Sequence, residues 1–483
     1  MKRVVVIGSG PGGSSCAALL QSRGLEVTLL EQNEFLGGKC STREENGFKV
    51  DTGIHMFATG VSGPHGQVAR ELGVPQPWLS RDPSESMWLN EKGIWYLYQK
   101  LHSPAAIKEV VMANITGRQE FDALNTLKRS VSNFGLRGLM HELHGIRKAL
   151  PWFIEKYDRV TTSEFLHLFT DDVIIHRAMN CLSMLLLVVP STRSSAGEFI
   201  SVFSEIFRNG TLGVPRGGAI GVPRSFMRAF RRDGGRLVMG VAAKQILVDG
   251  GRATGVLGSD GVEYPAEVVI SNAGLKQTVG LAGPENFSGE YVDYVEGLEL
   301  SYSWMASKLF IKGRGLDLKA PSFFPIPQVE PERIFEYCDE PGGLPADPFL
   351  FCPIPTDWDP TLAPPGHQLI LVGVPTSNEV DQEERSQKML DIAEEKFFSF
   401  FPDVRDKVVA RSRITNKDTN HITRKGTGEC IGLAQIPGQT GADKPHPKMP
   451  VEGLWAVGCD AGARGVGTEQ GTASGMLVAS LVS

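Results

Sequence analysis

Three glycines near the start of the sequence have the spacing of a nucleotide-binding turn. Gly8, Gly10 and Gly13 follow the G-x-G-x-x-G pattern, in which the first glycine permits a tight turn and the second lets the backbone approach a pyrophosphate. The third lets the following helix pack close to the preceding strand. Glu31 lies 18 residues after Gly13, where an acidic side chain can accept hydrogen bonds from a ribose. These residues predict a dinucleotide-binding site.

Other kinds of site find less support in the sequence. No Ser/His/Asp set and no H-E-x-x-H spacing occurs, which argues against hydrolysis and metal catalysis, and we expect no metal. The seven cysteines are scattered singly without a C-x-x-C pair, so neither a disulfide framework nor structural zinc is expected. The net charge of -6 offers no general basic face, and nucleic acid is therefore not an expected partner.

The elements that must position the glycines and the acid follow from the pattern around them. The β-branched run "KRVVVIG", which ends at a glycine, is typical of a buried parallel strand. The segment "SSCAALLQSRG" is predicted to form the next helix, ended by Gly24, and "LEVTLLE" a second strand that ends at Glu31. The N–H groups at the start of the helix would face the phosphates. Strand, glycines, helix, strand and acid together predict a βαβ unit.

The residues after the acid distinguish one dinucleotide from another. "EQNEFLGGKCST" contains a glycine pair followed by Lys39, and "GFKVDTGIHMF" contains Gly53 and His55. This arrangement resembles the N-terminal signature of the FAD-dependent amine oxidase and phytoene desaturase superfamily. In that superfamily a second glycine pair and a basic residue follow the ribose-binding Glu, and a D-x-G-x-H/T element lies near the flavin. The resemblance implies FAD, held permanently, rather than NAD.

The last part of the sequence carries the same resemblance. Residues 453–481, "GLWAVGCDAGARGVGTEQGTASGMLVASL", resemble the C-terminal flavin motif of this superfamily. The resemblance implies that Asp460 meets the ribityl–phosphate part. It also implies that a helix N-terminus near Gly467 and Thr468 points at the pyrimidine edge of the flavin, where it would stabilise negative charge. The sequence departs from the family pattern at Cys459, which takes the usual position of the acid.

A third segment lies between these two. "PRGGAIGVPRSF" resembles the glycine-rich return of phytoene desaturases into the FAD domain, and three strands are predicted after it, in "GRLVMGVAAKQILV", "RATGVLGSDG" and "VEYPAEVVISNAG". The resemblance, which is nearest to the phytoene desaturase, carotenoid isomerase and retinol saturase branch, implies backbone contact with adenine near Ala243. The cofactor-binding residues that it implies are Gly8, Gly10, Pro11, Gly12, Gly13, Glu31, Gln32, Gly37, Gly38, Lys39, Gly53, His55, Ala243, Asn272, Gly458, Asp460, Gly467 and Thr468.

The resemblance implies an α/β fold with two parts. A Rossmann-like FAD-binding domain of the glutathione reductase and amine oxidase type carries an inserted α+β substrate domain. We expect the FAD-binding domain to be discontinuous, over residues 1–85, 211–285 and 425–483, and the substrate domain to comprise 86–210 and 286–424. The first insert is predicted to be mostly helical. In the second, strands such as "SYSWMASKLFIK" and "HQLILVGVP" precede a long helix, "QEERSQKMLDIAEEKFFSFFP".

The resemblance also implies the activity. It indicates an FAD-dependent oxidoreductase that desaturates, saturates or isomerises a hydrophobic polyene such as a carotenoid, or another isoprenoid. A flavin oxidase or dehydrogenase of amines or other small cyclic substrates is the alternative. A non-enzymatic escort protein for prenylated GTPases is disfavoured, because such proteins lack a full flavin site. The sequence contains no second G-x-G-x-x-G that could bind NAD, so a quinone, O₂ or a soluble electron carrier is expected as the electron acceptor. The alternative is a reductase that receives electrons from a separate donor.

For several residues, and for the cellular location, the sequence allows two interpretations. His55 is a candidate acid or base, although a structural contact beside the cofactor is the preferred interpretation, and the catalytic side chains are otherwise unknown. Arg216 and Arg464 either contact phosphate or lie exposed. Apolar segments such as "MNCLSMLLLVV" line a substrate tunnel or belong to the core. No stretch reaches the roughly 18 apolar residues of a membrane span, so we expect a cytoplasmic protein, with peripheral membrane contact as an alternative.

Overall fold

The computed structural model describes residues 1–53, 57–75, 77–81, 88–91, 94–97, 128–129, 151–208, 212–318 and 322–483. The strands within these ranges, numbered β1 to β19 in chain order, are Arg3–Ile7, Glu26–Glu31, Thr42–Glu45, Phe48–Asp51, Trp78–Arg81, Trp88–Glu91, Ile94–Leu97, Leu212–Pro215, Arg236–Met239, Ala243–Asp249, Arg252–Gly258, Glu263–Pro265, Val268–Ser271, Ser303–Lys312, Ser322–Pro325, Cys352–Pro353, His367–Thr376, Val408–Ile414 and Leu454–Ala456. The helices, numbered α1 to α14, are Pro11–Ser22, Pro64–Glu71, Pro151–Lys156, Thr162–His167, Val173–Leu187, Ala196–Arg208, Gly221–Arg232, Leu275–Ala282, Gly289–Gly297, Glu336–Asp339, Pro355–Trp358, Glu383–Phe400, Asn416–Thr423 and Gly467–Val482.

A five-stranded parallel sheet forms the centre of the dinucleotide-binding part. Its order is β19-β13-β1-β2-β9, and every neighbouring pair is parallel. Strands β1 and β13 are buried along almost their whole length, which explains why both are runs of β-branched residues. The α/β fold with a central parallel sheet is therefore confirmed. Its five strands come from three separated parts of the sequence, and the boundaries of the two domains stay a prediction.

Helix α1 lies very close to both β1 and α14. A Cβ atom on Gly13 would lie 2.0 Å from the carbonyl oxygen of Gly8, so the helix can approach the strand only because the side chain is absent. On the other side of α1, a Cβ atom on Gly475 of α14 would lie 2.7 Å from the carbonyl oxygen of Gly12. These contacts bring the first residues of α1 and α14 to the same cavity.

The second part of the structure combines a three-stranded antiparallel sheet with helices. Strand β14 lies between β17 and β18 and pairs with β17 over ten residues. One hydrophobic cluster joins this sheet to the helices on either side of it. It includes Met305 of β14, Val372 of β17, Phe397 of α12, Leu187 of α5 and Phe199 of α6, all less than 2% exposed. This shared core fixes α5 and β14 relative to each other, and both contribute to the wall of the cavity described below.

Most predicted elements are confirmed, with differences that have local causes. Helix α1 begins at Pro11 instead of after Gly13, because proline at the first helical position needs no N–H partner. The three strands predicted over 236–274 are five, interrupted at Gly240, which has a φ of 70°, and after Pro265. The described part of the first insert contains β6 and β7 besides helices α3 to α6. Across the described ranges, no helix is long and apolar enough to cross a membrane.

A buried cluster of ion pairs joins the helices of the inserted part to the loop before α14. Arg464 makes two contacts with the carboxylate of Asp158, at 2.9 and 2.5 Å, and its Nη1 lies 3.0 Å from Glu198 Oε2. The side chains of Asp158 and Glu198 are only 4% and 1% exposed. Water therefore cannot stabilise their charges, and the guanidinium does so instead. Arg464 is thus 31% exposed and ion-paired, a role that neither sequence-based interpretation, phosphate contact or simple exposure, anticipated.

Replacing Arg464 tests the contribution of this cluster to stability. We expect Arg464→Met to lower the free energy of unfolding by about 3–5 kcal/mol, because it removes the guanidinium that contacts both buried carboxylates. Arg159→Met is the matched control, since Arg159 also pairs with an aspartate, Asp443, but is 73% exposed and should contribute far less to stability. Urea denaturation of both variants measures the difference. Equal losses in the two variants would contradict the expectation.

The carboxylate of Asp51 connects the β3–β4 hairpin to the segment that returns to the central sheet. It accepts hydrogen bonds from Thr42 Oγ1 at 2.6 Å and from the Ala219 N–H at 2.9 Å. Thr42 Oγ1 in turn accepts the N–H of Ile220 at 3.1 Å. Burial raises the pKa of Asp51 to about 6, although the hydrogen bonds from Thr42 and Ala219 oppose this. The aspartate of the D-x-G element therefore makes a structural contact between two chain segments.

The raised pKa of Asp51 predicts a specific pH dependence of stability. A carboxyl whose pKa is higher in the folded chain binds a proton more tightly there, so its contribution to stability falls as pH rises from about 4 to about 6. The Asp51→Asn variant should lose this slope, which amounts to roughly 3 kcal/mol across the window. Unfolding free energies at several pH values between 4 and 7 measure it. Identical slopes in the variant and the original chain would rule out this role.

Candidate dinucleotide and substrate site

A cavity of about 700 Å³ lies between the central sheet and the sheet formed by β14, β17 and β18. The ends of β1 and β2 and the first turn of α1 line one end of it. The first residues of β14 and the last residues of α5 line the other. Because the two ends differ in chemistry, they are described separately here as the dinucleotide end and the apolar end.

The first turn of α1 forms a surface without side chains at the dinucleotide end. A Cβ atom on Gly10 would lie 2.7 Å from Asn272 Nδ2, and one on Gly12 would lie 2.9 Å from Asn272 Oδ1. No acidic residue occupies the first turn of the helix, so its free N–H groups face the cavity without a competing negative charge. A helix N-terminus of this kind binds phosphate. The residues therefore fit the diphosphate of a dinucleotide.

Glu31 ends β2 and lines the cavity, as the spacing of the motif predicts. It is 3% exposed, and one of its oxygens accepts hydrogen bonds from the N–H and the hydroxyl of Ser9, at 2.9 and 2.6 Å. The other oxygen accepts from the N–H and side-chain amide of Asn33, at 2.9 and 3.0 Å. Glu31 thus fixes the glycine turn as well as the loop after β2. Its contact with a ribose stays a prediction.

The loop after β2 is held by contacts with the C-terminal part of the chain. The side-chain amide of Gln32 donates to the carbonyl oxygens of Ile422 and Thr423, at 3.1 and 3.2 Å. Lys39 Nζ donates to the carbonyl oxygen of Glu429 at 2.7 Å. Both Gln32 and Lys39 line the cavity. Their partners lie about 390 residues away in the sequence, and no spacing pattern signalled these contacts.

The acid of the C-terminal motif is already hydrogen-bonded to the backbone. Asp460 lines the cavity, and its two oxygens accept the N–H groups of Leu275 at 2.9 Å and Leu433 at 3.1 Å. The first of these N–H groups begins helix α8. Cys459, which precedes the acid, donates its thiol to the carbonyl oxygen of Gly467 at 2.9 Å. Asp460 thereby joins three segments at the cavity, and its contact with the ribityl–phosphate part stays a prediction.

Two side chains from the start of the chain fix the first turn of α14. The ring nitrogens of His65 lie 3.2 Å from Thr468 Oγ1 and 2.9 Å from Thr472 Oγ1. Burial lowers the pKa of His65 to about 3, so the ring is neutral and donates to one threonine while it accepts from the other. Glu469 Oε1 accepts the N–H and hydroxyl of Thr59, at 2.7 and 2.6 Å. The sequence patterns did not indicate these three contacts.

The structure brings most of the predicted site residues to one cavity. Gly13 does not line it, because it lies behind the turn against β1, and His55 lies outside the described residues. Arg216 does not line it either, and its N–H donates to the carbonyl oxygen of Pro77. The predicted residues that line the cavity are Gly8, Gly10, Pro11, Gly12, Glu31, Gln32, Gly37, Gly38, Lys39, Gly53, Ala243, Asn272, Gly458, Asp460, Gly467 and Thr468. That each of these binds the cofactor stays a prediction.

The apolar end is formed by the inserted part of the chain. The described lining residues that α5, β14, β17 and β18 contribute are all uncharged. Trp304 of β14 packs edge-on against Phe351, with ring centroids 6.1 Å apart and an interplanar angle of 78°. Leu186 and Met305 lie on the same wall. The charged lining residues are on other segments: Glu31, Lys39, Arg424, Lys425, Asp460 and Glu469.

Comparison with known proteins adds sequence relatives to this geometry. Residues 6–72 match the family model of an NAD(P)-binding Rossmann-like domain, which describes the βαβ unit. The chain is 24% identical to the lycopene-forming phytoene desaturase of Pseudescherichia vulneris, over all of this chain and 99% of the relative. It is 26% identical to a phytoene desaturase of Fusarium fujikuroi, covering 80% and 69% of the two chains. It is also 26% identical to the all-trans-retinol 13,14-reductase of Macaca fascicularis, covering 97% and 84%.

Solved structures show the same fold. An oxidoreductase from Methanosarcina mazei superposes with a TM-score of 0.69 at 19% identity, covering 99% of each chain. A double mutant of putrescine oxidase gives a TM-score of 0.65 at 14% identity, covering 99% of this chain and 98% of the other. Two of these relatives match nearly the whole chain, and the glycine turn, Glu31 and the C-terminal helix meet at one cavity. The chain is therefore similar in sequence to phytoene desaturases and to an all-trans-retinol 13,14-reductase, and similar in fold to these solved oxidoreductases.

Proposed function

We propose that this protein is an FAD-dependent oxidoreductase that desaturates, saturates or isomerises a carbon–carbon bond of a hydrophobic polyene or isoprenoid. The observation that supports this most directly is the uncharged wall contributed by α5, β14, β17 and β18. A long hydrocarbon gains free energy by leaving water for such a wall, at roughly 25 cal/mol per Å². The names of the relatives, phytoene desaturase and all-trans-retinol 13,14-reductase, agree with this class of substrate.

Residues at the dinucleotide end would bind the cofactor, and residues at the apolar end would bind the substrate. FAD, when bound, supplies the two-electron chemistry, because a flavin accepts or donates a hydride. Gly10 and Gly12 leave room for a diphosphate beside the N–H groups of α1. Trp304, Met305 and Leu186 would orient the polyene and exclude water. Neutral His65 holds the Thr468 hydroxyl at the start of α14, whose N-terminus stabilises negative charge nearby.

An amine or small cyclic substrate is less well supported. A cage that orients an amine presents aromatic faces to the cation, whereas Trp304 and Phe351 pack edge to face against each other. The segments that form the apolar end also contribute, among the described lining residues, no carboxylate to pair with an ammonium group. The electron acceptor remains a proposal among a quinone, O₂ and a soluble carrier, as does peripheral contact with a membrane. His55 remains a proposed acid or base.

An anaerobic titration tests the proposal. The purified protein should carry flavin, and its visible flavin absorbance should bleach when a polyene such as phytoene is added. If it catalyses saturation, a reduced donor should bleach the flavin and a polyene such as retinol should then restore the colour. Isomerisation should appear as a changed polyene isomer with the flavin in the same redox state at the end. Bleaching by an amine with no effect of any polyene would overturn the proposal, as would a protein that fails to bind FAD.

Replacing Trp304 tests the apolar end separately. We expect Trp304→Ala to raise the KM for the polyene by about tenfold, because the substrate loses an aromatic contact of about 1–2 kcal/mol. The flavin content should not change, since Trp304 lies on the inserted part. Trp304→Phe is the matched control and should stay within about threefold of the original chain. An unchanged KM in Trp304→Ala, with normal flavin content, would show that the polyene does not contact this wall.

A further inference from the structure

Two lysines at the cavity share one buried carboxylate. Lys425 Nζ lies 3.1 Å from Glu429 Oε1, and Lys39 Nζ lies 3.6 Å from the same oxygen while it donates to the Glu429 carbonyl at 2.7 Å. The side chain of Glu429 is 1% exposed, and its other oxygen accepts the hydroxyl of Thr427 at 2.6 Å. A single negative charge therefore faces two positive charges in this cluster.

Glu429 and Lys425 are both charged at neutral pH. Burial alone would raise the pKa of Glu429, but Lys425 and Lys39 outweigh it and lower the pKa to about 2. Burial alone would lower the pKa of Lys425, but Glu429 and Asp460 outweigh it and raise the pKa above its ordinary value. The attraction between Glu429 and Lys425 thus keeps this pair charged although both side chains are largely buried.

The hydrogen-bond donors of the two ammonium groups exceed the acceptors around them. Each group has three N–H donors, and the side-chain and backbone oxygens of Glu429 accept from them or pair with them. The side-chain oxygen of Gln277 lies near Lys425 Nζ, since a Cβ atom on Gly274 would lie 2.7 Å from the first and 2.9 Å from the second. The carboxylate of Asp460 is also near Lys425, because Asp460 Oδ2 and Lys425 Nζ would lie 3.1 and 2.9 Å from a Cβ atom on Gly274. Both oxygens of Asp460 already accept backbone N–H groups. The remaining donors are therefore available to water or to an anion in the cavity.

The side of the lysines that remains open is the cavity. Lys39 and Lys425 both line it and keep 25% and 17% of their side-chain surface exposed. The N–H groups at the start of α1 line the same cavity. Two ammonium groups and a helix N-terminus fit a ligand with two negative charges close together, which is the charge of a diphosphate.

We propose that Lys425 and Lys39 together bind the diphosphate of the dinucleotide, and that Glu429 is the positioning residue that holds both lysines at the cavity. Glu429 neutralises part of their charge while the cavity is empty, and the diphosphate supplies the remaining acceptors when it binds. The pair would also favour a dinucleotide over a flavin without a diphosphate. This inference does not depend on the identity of the oxidised or reduced substrate.

Ligand titrations of the full chain, stripped of its flavin, test the proposal. FAD, ADP and riboflavin are added to the original chain and to Lys425→Met, and affinity is followed by flavin fluorescence or by heat of binding. We expect Lys425→Met to weaken FAD and ADP by tenfold or more and to leave riboflavin within twofold. Lys425→Arg should recover most of the affinity for FAD, because it restores the charge. Equal weakening of FAD and riboflavin would overturn the proposal, since it would indicate a general distortion of the cavity.

Lys276→Met serves as the matched control, because Lys276 is similarly buried but donates to the carbonyl oxygen of Glu296 and does not line the cavity. Its affinity for FAD should equal that of the original chain, and an equal affinity in Lys425→Met would overturn the proposal. Glu429→Gln provides a second measurement. Its flavin-free form should unfold at a lower temperature, and FAD should raise the unfolding temperature by less than in the original chain, because the lysines are no longer held for the diphosphate. An unchanged increase would contradict the role of Glu429.

Discussion

Helix α1 touches β1 on one side and α14 on the other with backbone against backbone, and the site depends on this contact. Gly13 and Gly475 have no side chain where a single Cβ would collide with a carbonyl oxygen. The three elements therefore stay in a fixed arrangement, and the N-termini of two helices open on the same cavity. Because each N-terminus carries partial positive charge, their convergence creates a region that accepts negative charge before any side chain is considered.

The side chains around this region separate charge from apolar surface. Lys39, Lys425 and Asp460 belong to segments that adjoin the central sheet, whereas Trp304 and Leu186 belong to the inserted part. The buried ion pairs outside the cavity follow the same separation of charged and apolar groups. Charged groups there, such as the carboxylates around Arg464, are neutralised by partners within the protein and do not reach the apolar wall. A charged dinucleotide and a hydrocarbon can thus occupy neighbouring parts of one cavity without sharing a surface.

The features that sequence reasoning predicted are those determined by neighbouring residues. The glycine turn, β1, β2 and Glu31 follow from spacing within about 30 residues, and β14, β17 and α12 follow from their hydrophobic periodicity. The contacts that it missed join distant segments: Lys39 with Glu429, His65 with Thr468, and Arg464 with Asp158 are separated by 390, 403 and 306 residues. No pattern within one segment encodes such pairs, because the complete fold brings them together. The breaks at Gly240 and after Pro265 divide predicted strands. They depend on backbone geometry, which the pattern of hydrophobic residues does not indicate.

The position of β19 and α14 in the chain has a consequence for synthesis. Strand β19 pairs with β13, and α14 packs on α1, yet both are synthesised only after more than 450 preceding residues. Until then β13 has an unpaired edge, α1 has an uncovered face, and the cavity lacks one wall. During synthesis the N-terminal βαβ unit therefore exposes surface that β19 and α14 later cover, and this exposed surface favours contact with chaperones. Loading of the cofactor becomes one of the last events of folding, so a ribosome that stops early yields a chain without a complete cofactor site.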